Sequence, residues 1–356
     1  MTRLLTPQPA RCDSPIVKAT ALLYLVFERS DLNKAQTFLQ DFGLNTVSKT
    51  DQTLLMRGTA RAPFCYWVRK GKQDRFIGFG LQVPTLADLN TLARKLGHQA
   101  PVPHPQDPEA RVLVLNDPAG FEVHAVWGLN PCPELATRPP LPVNSPSHTP
   151  RINATQRSAE DVEVVRLGHV VLEVANYQHV SAWYTRTFGF IPSDVQVLPD
   201  GSPAVTFFRL NLGDTPTDHH TLAIAQGFMA TYSHSAFELV DADAVGMGQR
   251  KLRSKGYSHA WGMGRHILGS QIFDYWNDPW GAKHEHYSDG DLFTAAQPTG
   301  IHPVSREHMA QWGQPMPASF TKPKMNARAL RALADNLKNT PDLTLRKLAT
   351  LARLFG

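Results

Sequence analysis

The stretch Gly168-His-Val-Val-Leu-Glu-Val-Ala-Asn-Tyr-Gln-His-Val-Ser-Ala-Trp-Tyr-Thr-Arg-Thr-Phe-Gly-Phe190 decides the fold, because its pattern occurs twice. Residues 22–44, Leu-Leu-Tyr-Leu-Val-Phe-Glu-Arg-Ser-Asp-Leu-Asn-Lys-Ala-Gln-Thr-Phe-Leu-Gln-Asp-Phe-Gly-Leu, follow the same plan. Each reads as an apolar strand, a polar turn and an amphipathic helix that stops at Phe-Gly, with Gly43 and Gly189 as helix-ending residues. The similarity continues outward. Val83–Gly97 and Val240–Gly256 each read as a strand end followed by a helix closed by glycine. Asn116-Asp-Pro-Ala-Gly120 and Asn277-Asp-Pro-Trp-Gly281 are turns, each leading into a strand. A repeat of roughly 130 residues is far longer than a solenoid period. It predicts an α+β protein of two tandem domains, each made of paired βαβββ units.

The expected boundaries are 15–128 for the first copy, 129–161 for a linker, 162–293 for the second copy and 294–356 for a loop and basic helical tail. The linker carries Pro131, Pro133, Pro139, Pro140, Pro142, Pro146 and Pro150 among Ser, Thr and Asn, a composition that cannot form a core. In the tail, Leu330, Leu333, Ala334 and Leu337 recur at helical spacing. The whole chain has 356 residues and a formal charge of +5, but residues 322–356 hold eight Lys/Arg against two Asp. That tail therefore carries +6 and the rest sums to −1, so the body has no basic surface suited to nucleic acid. The tail has one aromatic residue, Phe355, and so no stacking platform; packing on another subunit is the expected use of its helix. No apolar run approaches ~18 residues and no signal peptide is legible, which predicts no membrane span. Three cysteines without CxxC spacing speak against a disulfide frame or a zinc ribbon and for a cytoplasmic protein.

The chemistry concentrates in the second copy. His169 lies in Gly-His-Val-Val-Leu-Glu-Val, His234 in Tyr-Ser-His-Ser-Ala-Phe-Glu-Leu, and Glu285 behind Asp-Pro-Trp-Gly. Two imidazoles and one carboxylate form the facial triad of a non-haem Fe(II) site, which leaves half of an octahedron free for substrate and O₂. His284 and His286 alternate with Glu285 on a strand and so face away from it. In the first copy, Leu23 is expected in the place of His169, the Phe76-Ile77 region in that of His234, and His124 in that of Glu285. The first domain is then non-catalytic, serving structure or dimerisation.

Residues 165–293 resemble the catalytic domain of the type I extradiol ring-cleavage (catechol) dioxygenases. These belong to the vicinal-oxygen-chelate (VOC) superfamily of glyoxalases, bleomycin resistance proteins and dioxygenases. The layout over residues 15–293 is similar to their two-domain subunit. The resemblance rests on Gly264-Arg265-His266, Phe273-Asp274-Tyr275, Pro279, Gly281 and Glu285. It implies iron at His169, His234 and Glu285, with Mn(II) as a possible substitute. It also implies three actors around the metal: His220, the second of the His219-His220 pair, His266 near a substrate hydroxyl, and Tyr275 near bound oxygen. The implied reaction is meta-cleavage of a catecholic small molecule by O₂, in a homo-oligomeric enzyme without nucleic-acid or membrane partners. The segment Ile-Leu-Gly-Ser-Gln-Ile after His266 departs from the family pattern. The pocket is expected to be lined by Trp261, Trp276, Trp280 and Phe237. Two alternatives stay open: another metal-dependent enzyme of the superfamily, such as a glyoxalase-type isomerase, and a non-catalytic binding protein on the same fold.

Overall fold

The structure is a computed structural model that describes residues 6–156, 162–321 and 325–355. The end of the expected linker, residues 157–161, lies outside the described residues. The first half runs β1 (Ala21–Arg29), α1 (Leu32–Asp41), β2 (Asn45–Lys49), β3 (Thr53–Arg57), β4 (Tyr66–Lys70), β5 (Arg75–Gln82), α2 (Leu86–Lys95), β6 (Val102–His104), β7 (Asp107–Asn116) and β8 (Glu122–Trp127). These strands form one eight-stranded sheet in the order β2-β3-β4-β1-β5-β8-β7-β6. The two βαβββ units thus meet where β1 pairs antiparallel with β5.

The second half repeats this with β9 (Arg166–Val174), α3 (Tyr177–Phe188), β10 (Ile191–Val197), β11 (Pro203–Arg209), β12 (Thr217–Asp218), β13 (Leu222–Gln226), β14 (Thr231–Glu238), α4 (Ala242–Ser254), β15 (Ser258–His266), β16 (Ile272–Asn277), β17 (Lys283–Ser288) and β18 (Leu292–Phe293). Two further strands, β19 (Gly300–Pro303) and β20 (Ala310–Gly313), lie beyond the last repeat motif and extend the sheet at its two edges. The ten-stranded order is β19-β10-β11-β13-β9-β14-β17-β16-β15-β20. The chain ends in α5 (Ala318–Thr321), α6 (Ala327–Asn339) and α7 (Leu345–Phe355). The tandem α+β architecture matches the expectation from the repeat.

The helices form where the sequence supplies caps. Asp31 accepts from the Asn33 and Lys34 amides, Thr85 from Asp88, and Asp241 from Ala244, each satisfying an orphan donor of a first turn. Gly43 ends α1 at φ +106, and a Cβ there would come within 2.9 Å of the Val162 carbonyl oxygen. Glycine is needed on both counts.

The halves are joined reciprocally. Ile16, Val17 and Ala19 donate to the carbonyls of Arg186, Thr187 and Phe188, while Val164 donates to Gly43 and accepts from Thr59. The two Asn-Asp-Pro turns act alike. Asp117 accepts from its own turn amides and from the Tyr184 hydroxyl of α3 at 2.7 Å. Asp278 accepts from its own turn amides and from Arg29 of β1 at 2.6 Å. Each turn therefore holds itself and grips the other half. One continuous apolar core, from Leu25 and Phe38 through Phe237 to Trp276, fills the space between.

The tail packs on its own chain. The Asn336 amide donates to the Phe228 carbonyl at 2.8 Å, and Lys347 is buried. On α6 the buried residue is Ala329, while Leu330 is 56% exposed. Leu333 and Leu337 of the expected stripe are half-buried, whereas Leu330 and Ala334 are exposed, so the docked face is rotated by only part of a turn.

In the first half, strand register corrects the expected equivalence. Ala236 pairs with both His169 and Glu285, and its counterpart Gly80 pairs with both Tyr24 and His124. Tyr24, not Leu23, therefore stands where His169 stands, and Gly78, not Phe76-Ile77, where His234 does. The run Leu22–Phe27 is apolar throughout, so alternation could not fix its register, and a one-residue slip exchanges the faces. His124 does take the position of Glu285.

These residues close the site with hydrogen bonds. The Gln106 amide donates to His104 Nδ1, leaving Nε2–H to donate to the Tyr24 oxygen at 2.9 Å. Tyr24 donates to His124 Nδ1 at 3.0 Å, and His124 Nε2–H reaches Glu122 at 3.0 Å. Both rings are neutral in this chain, and Phe64 and Trp67 pack around it. Burial, and then neighbouring His124, pulls His104 from its ordinary 6.5 to about 4; burial also lowers His124. The unfolded chain binds these protons near pH 6.5 and the folded chain does not. Stability is thus complete above that pH and falls as pH drops toward 4, by roughly 3 kcal/mol for His104 alone. Melting temperature followed from pH 7 to pH 4.5 is expected to fall, with a shallower slope in His104→Asn; equal slopes would refute the assignment.

Candidate metal centre and its cavity

β9, β14 and β17 are adjacent in the sheet, and this brings His169, His234 and Glu285 together. Their donor atoms all lie within 4.8 Å of one another, the one such group among the described residues. His169 Nε2 and His234 Nε2 stand 3.3 and 3.5 Å from Glu285 Oε2. Two donors at ~2.1 Å from a shared ion and at right angles to it are separated by ~3 Å, so this spacing suits a first-row divalent metal. The stronger test is the carboxylate itself. Glu285 is fully buried, and neither of its oxygens receives a hydrogen bond. A buried carboxylate without donors is costly, and a cation between it and the two imidazoles removes the cost. Burial, then the nearby His169, depresses His234 well below the ordinary histidine range, which keeps its ring in the neutral, ligating form.

The three other expected residues converge on the same point. His220 packs on His169 with ring centroids 4.0 Å apart. His266 Nδ1 donates to the Met309 carbonyl at 2.8 Å, so Nε2 is the acceptor facing the Tyr275 hydroxyl at 2.9 Å. His266 Nε2 is also 3.8 Å from Glu285 Oε1. Burial, followed by the Glu285 charge, pushes Tyr275 well above its ordinary value, and burial lowers His266. His284 and His286 occupy the opposite face. His284 Nε2 meets the Tyr66 hydroxyl at 3.0 Å and His286 Nε2 the Phe42 carbonyl at 2.7 Å, both in the other half of the chain.

Behind His220 stands a chain that the sequence did not announce. His220 Nδ1 lies 3.0 Å from His219 Nδ1, and His219 Nε2 lies 2.6 Å from Asp194 Oδ2. Asp194 Oδ1 meets His302 Nε2 at 2.7 Å, and the His302 side chain is 42% exposed. Burial would raise Asp194, but the hydrogen bonds from His219 and His302 outweigh it and hold the carboxyl below its ordinary value. Burial and the surrounding imidazoles depress His220.

A cavity of about 580 Å³ opens beside the donors. Of the expected aromatic lining only Trp261 is present. Trp276 follows Tyr275 on β16 and therefore faces the other way, donating to Asp274 at 2.6 Å. Phe237 packs on Phe42 and Tyr66 between the halves, and Trp280 stacks on Arg29. Instead, the tail supplies much of the wall through Met309, Met316, Phe320, Leu348 and Leu351. These residues lie beyond the repeat, where no motif marks them.

Residues 166–285 match the Glyoxalase/Bleomycin resistance protein/Dioxygenase superfamily. Metapyrocatechase 2 of Cupriavidus necator is 27% identical over 313 residues, 84% of this chain and 90% of the relative. The Mn(II)-bound glyoxalase of Novosphingobium aromaticivorans superposes with a TM-score of 0.72 at 20% identity, covering 87% of this chain and 97% of that one. Homoprotocatechuate 2,3-dioxygenase of Arthrobacter globiformis gives 0.71 at 18% identity, covering 89% and 96%. Residues 166–285 thus carry the match to the Glyoxalase/Bleomycin resistance protein/Dioxygenase superfamily, and over most of its length the chain is similar to a metapyrocatechase.

Proposed function

We propose that the protein is an Fe(II)-dependent dioxygenase that opens a catecholic ring beside its two hydroxyls, incorporating O₂. The observation that carries the reading is a buried, donorless carboxylate facing two imidazole nitrogens at the wall of a large cavity. His169, His234 and Glu285 would hold the metal. Bound there, Fe(II), or Mn(II) on the same donors, supplies adjacent open positions where a catechol and O₂ are brought together.

The surrounding side chains manage protons. A neutral His219 that donates Nε2–H to Asp194 offers its Nδ1 lone pair to His220. His220 then donates Nδ1–H and keeps its Nε2 lone pair for the cavity, where it accepts a phenolic proton. A proton added to His219 reverses the arrangement and lets His220 donate into the cavity instead. On the opposite side, the Met309 carbonyl fixes His266 as an acceptor at Nε2, so the Tyr275 hydroxyl donates to it and turns its oxygen lone pairs toward the site. Asp194 is a positioning residue in this scheme. Asp194→Asn is expected to lower kcat about tenfold with little change in KM, in the range found for lost outer-shell partners, and to move the pH profile of kcat. An unchanged profile would remove the chain from the mechanism.

Anaerobic reconstitution with Fe(II), followed by oxygen-electrode assays over a catechol panel, tests the function. Uptake of O₂ matched by a coloured ring-opened product is the expected result. Metal retention with no O₂ uptake on any catechol would overturn it in favour of a glyoxalase-type isomerase.

A further inference from the structure

We propose that α7 is the substrate-selecting wall of this site, and that its leucines favour a catechol bearing a bulky, uncharged apolar substituent. The inference rests on the ring-cleavage reading and names the substrate class within it. His169, Val171 and Glu173 share one face of β9 and all line the cavity, so the space runs ~13 Å along that strand, at ~3.3 Å per residue. At its far end β13 carries Ala225 and Gln226, which pair with Glu173 and Val174. Leu348 and Leu351 of α7 line the same cavity, as does Phe228.

Size and chemistry then define the occupant. A cavity of ~150 Å³ accepts a benzene ring, and this one is about 580 Å³, leaving most of the space to whatever the ring carries. Among the described residues no Lys or Arg lines it; the one lining carboxyl is Glu173, and Lys283, whose Nζ lies 5.1 Å over the lining Phe320 ring, partly offsets its burial. A carboxylate on the substituent would meet Glu173 as a like charge and would have to share Lys283 with it, and desolvating an anion that is not fully paired is costly. An alkyl or aryl group meets Leu348, Leu351, Phe228 and Ala225 instead.

The wall is held firmly. Lys347, 3% exposed, donates to the Thr6 hydroxyl and the Gln226 side-chain oxygen at 2.9 Å each, and to the Asp342 carbonyl at 3.1 Å. Asp342 in turn accepts from the Thr6 hydroxyl at 2.9 Å and the Gln178 amide at 2.7 Å. Gln226 thus ties the helix to the strand that ends the cavity, and Leu351, one turn beyond Lys347, lines it while packing on Leu198, Ala204 and Val304.

The test uses the Fe(II)-loaded full chain and kcat/KM for three probes: catechol, phenyl-substituted catechol and carboxymethyl-substituted catechol. The wild type is expected to prefer the phenyl compound over both others by at least tenfold. Leu351→Trp is expected to lower the phenyl-to-catechol ratio at least tenfold, and Lys347→Met, which frees the helix, to lower it as well. Leu351→Ala guards against a misfolded tryptophan variant and is expected to extend preference toward a longer substituent. A wild type that prefers catechol or the carboxymethyl compound, or a ratio that Leu351→Trp leaves unmoved, would overturn the proposal while leaving ring cleavage intact. Turnover of none of the three by the wild type would instead sink the ring-cleavage reading itself.

Discussion

Glu285→Gln is expected to abolish O₂ uptake while making the metal-free protein more stable. In the absence of an ion the carboxylate is fully buried with both oxygens unbonded, a state that costs several kcal/mol for a charge and only about 1–3 kcal/mol for a neutral polar group. Removing the charge therefore relieves the apo protein. The same change removes the anionic ligand that neutralises a divalent cation between two imidazoles. Loss of even outer-shell partners costs ten- to a hundredfold in affinity or activity, at the level of order of magnitude, and loss of a direct ligand is expected to exceed a hundredfold. Two melting curves and one oxygen trace check this. Without metal the variant melts higher than the wild type. With Fe(II) the wild type gains stability by mass action, and the variant does not. A variant that keeps both turnover and the metal-induced shift would remove Glu285 from the ligand set.

The second large effect concerns the joint between the halves. Asp278→Ala is expected to destabilise the protein by about 3–5 kcal/mol, the cost of stranding one partner of a buried pair. Arg29 and Asp278 meet at 2.6 Å with side-chain exposures of 3% and 2%. The guanidinium lies 4.5 Å over Phe27 and 4.8 Å over Trp280, so it has no route to water without breaking apolar contacts. Asp278 also accepts from the Trp280 and Ala282 amides, and its loss loosens the turn that leads into β17 and Glu285. Denaturant unfolding would show the loss directly. Arg29→Met/Asp278→Leu, which removes both charges, is expected to recover much of it. A single variant within 1 kcal/mol or so of wild type would show that water reaches the pair.

The repeat was legible because it is written in local chemistry. Helix-ending glycines and Asp-Pro turns have fixed backbone demands, so they mark equivalent points in both halves without any alignment of the strands between them. The candidate ligand trio was legible for a related reason. A histidine inside an apolar strand and a glutamate behind a turn are costly where they stand, and cost is visible in sequence. What stayed hidden was register and distance. The first-half strand Leu22–Phe27 is apolar on both faces, so Tyr24 could not be told from Leu23 as the residue facing inward. Trp276 read as a pocket residue because its neighbours are, yet period-two geometry turns it the other way. Asp194 and His302 lie far from His219 along the chain, and only the curl of β10 against β19 brings them together. The tail was harder still. The leucines of α6 read as an amphipathic helix for another subunit, whereas those of α7, which drew no attention in the sequence, line the cavity.

The account stands on His169, His234 and Glu285 gripping one ion. Crystals of anaerobically Fe(II)-loaded protein, measured for anomalous scattering at the iron edge, test this most directly. The predicted result is a single strong peak per chain at ~2.0–2.2 Å from His169 Nε2, His234 Nε2 and a Glu285 oxygen. A loaded protein with no peak there, or with its iron held by other side chains, would contradict it.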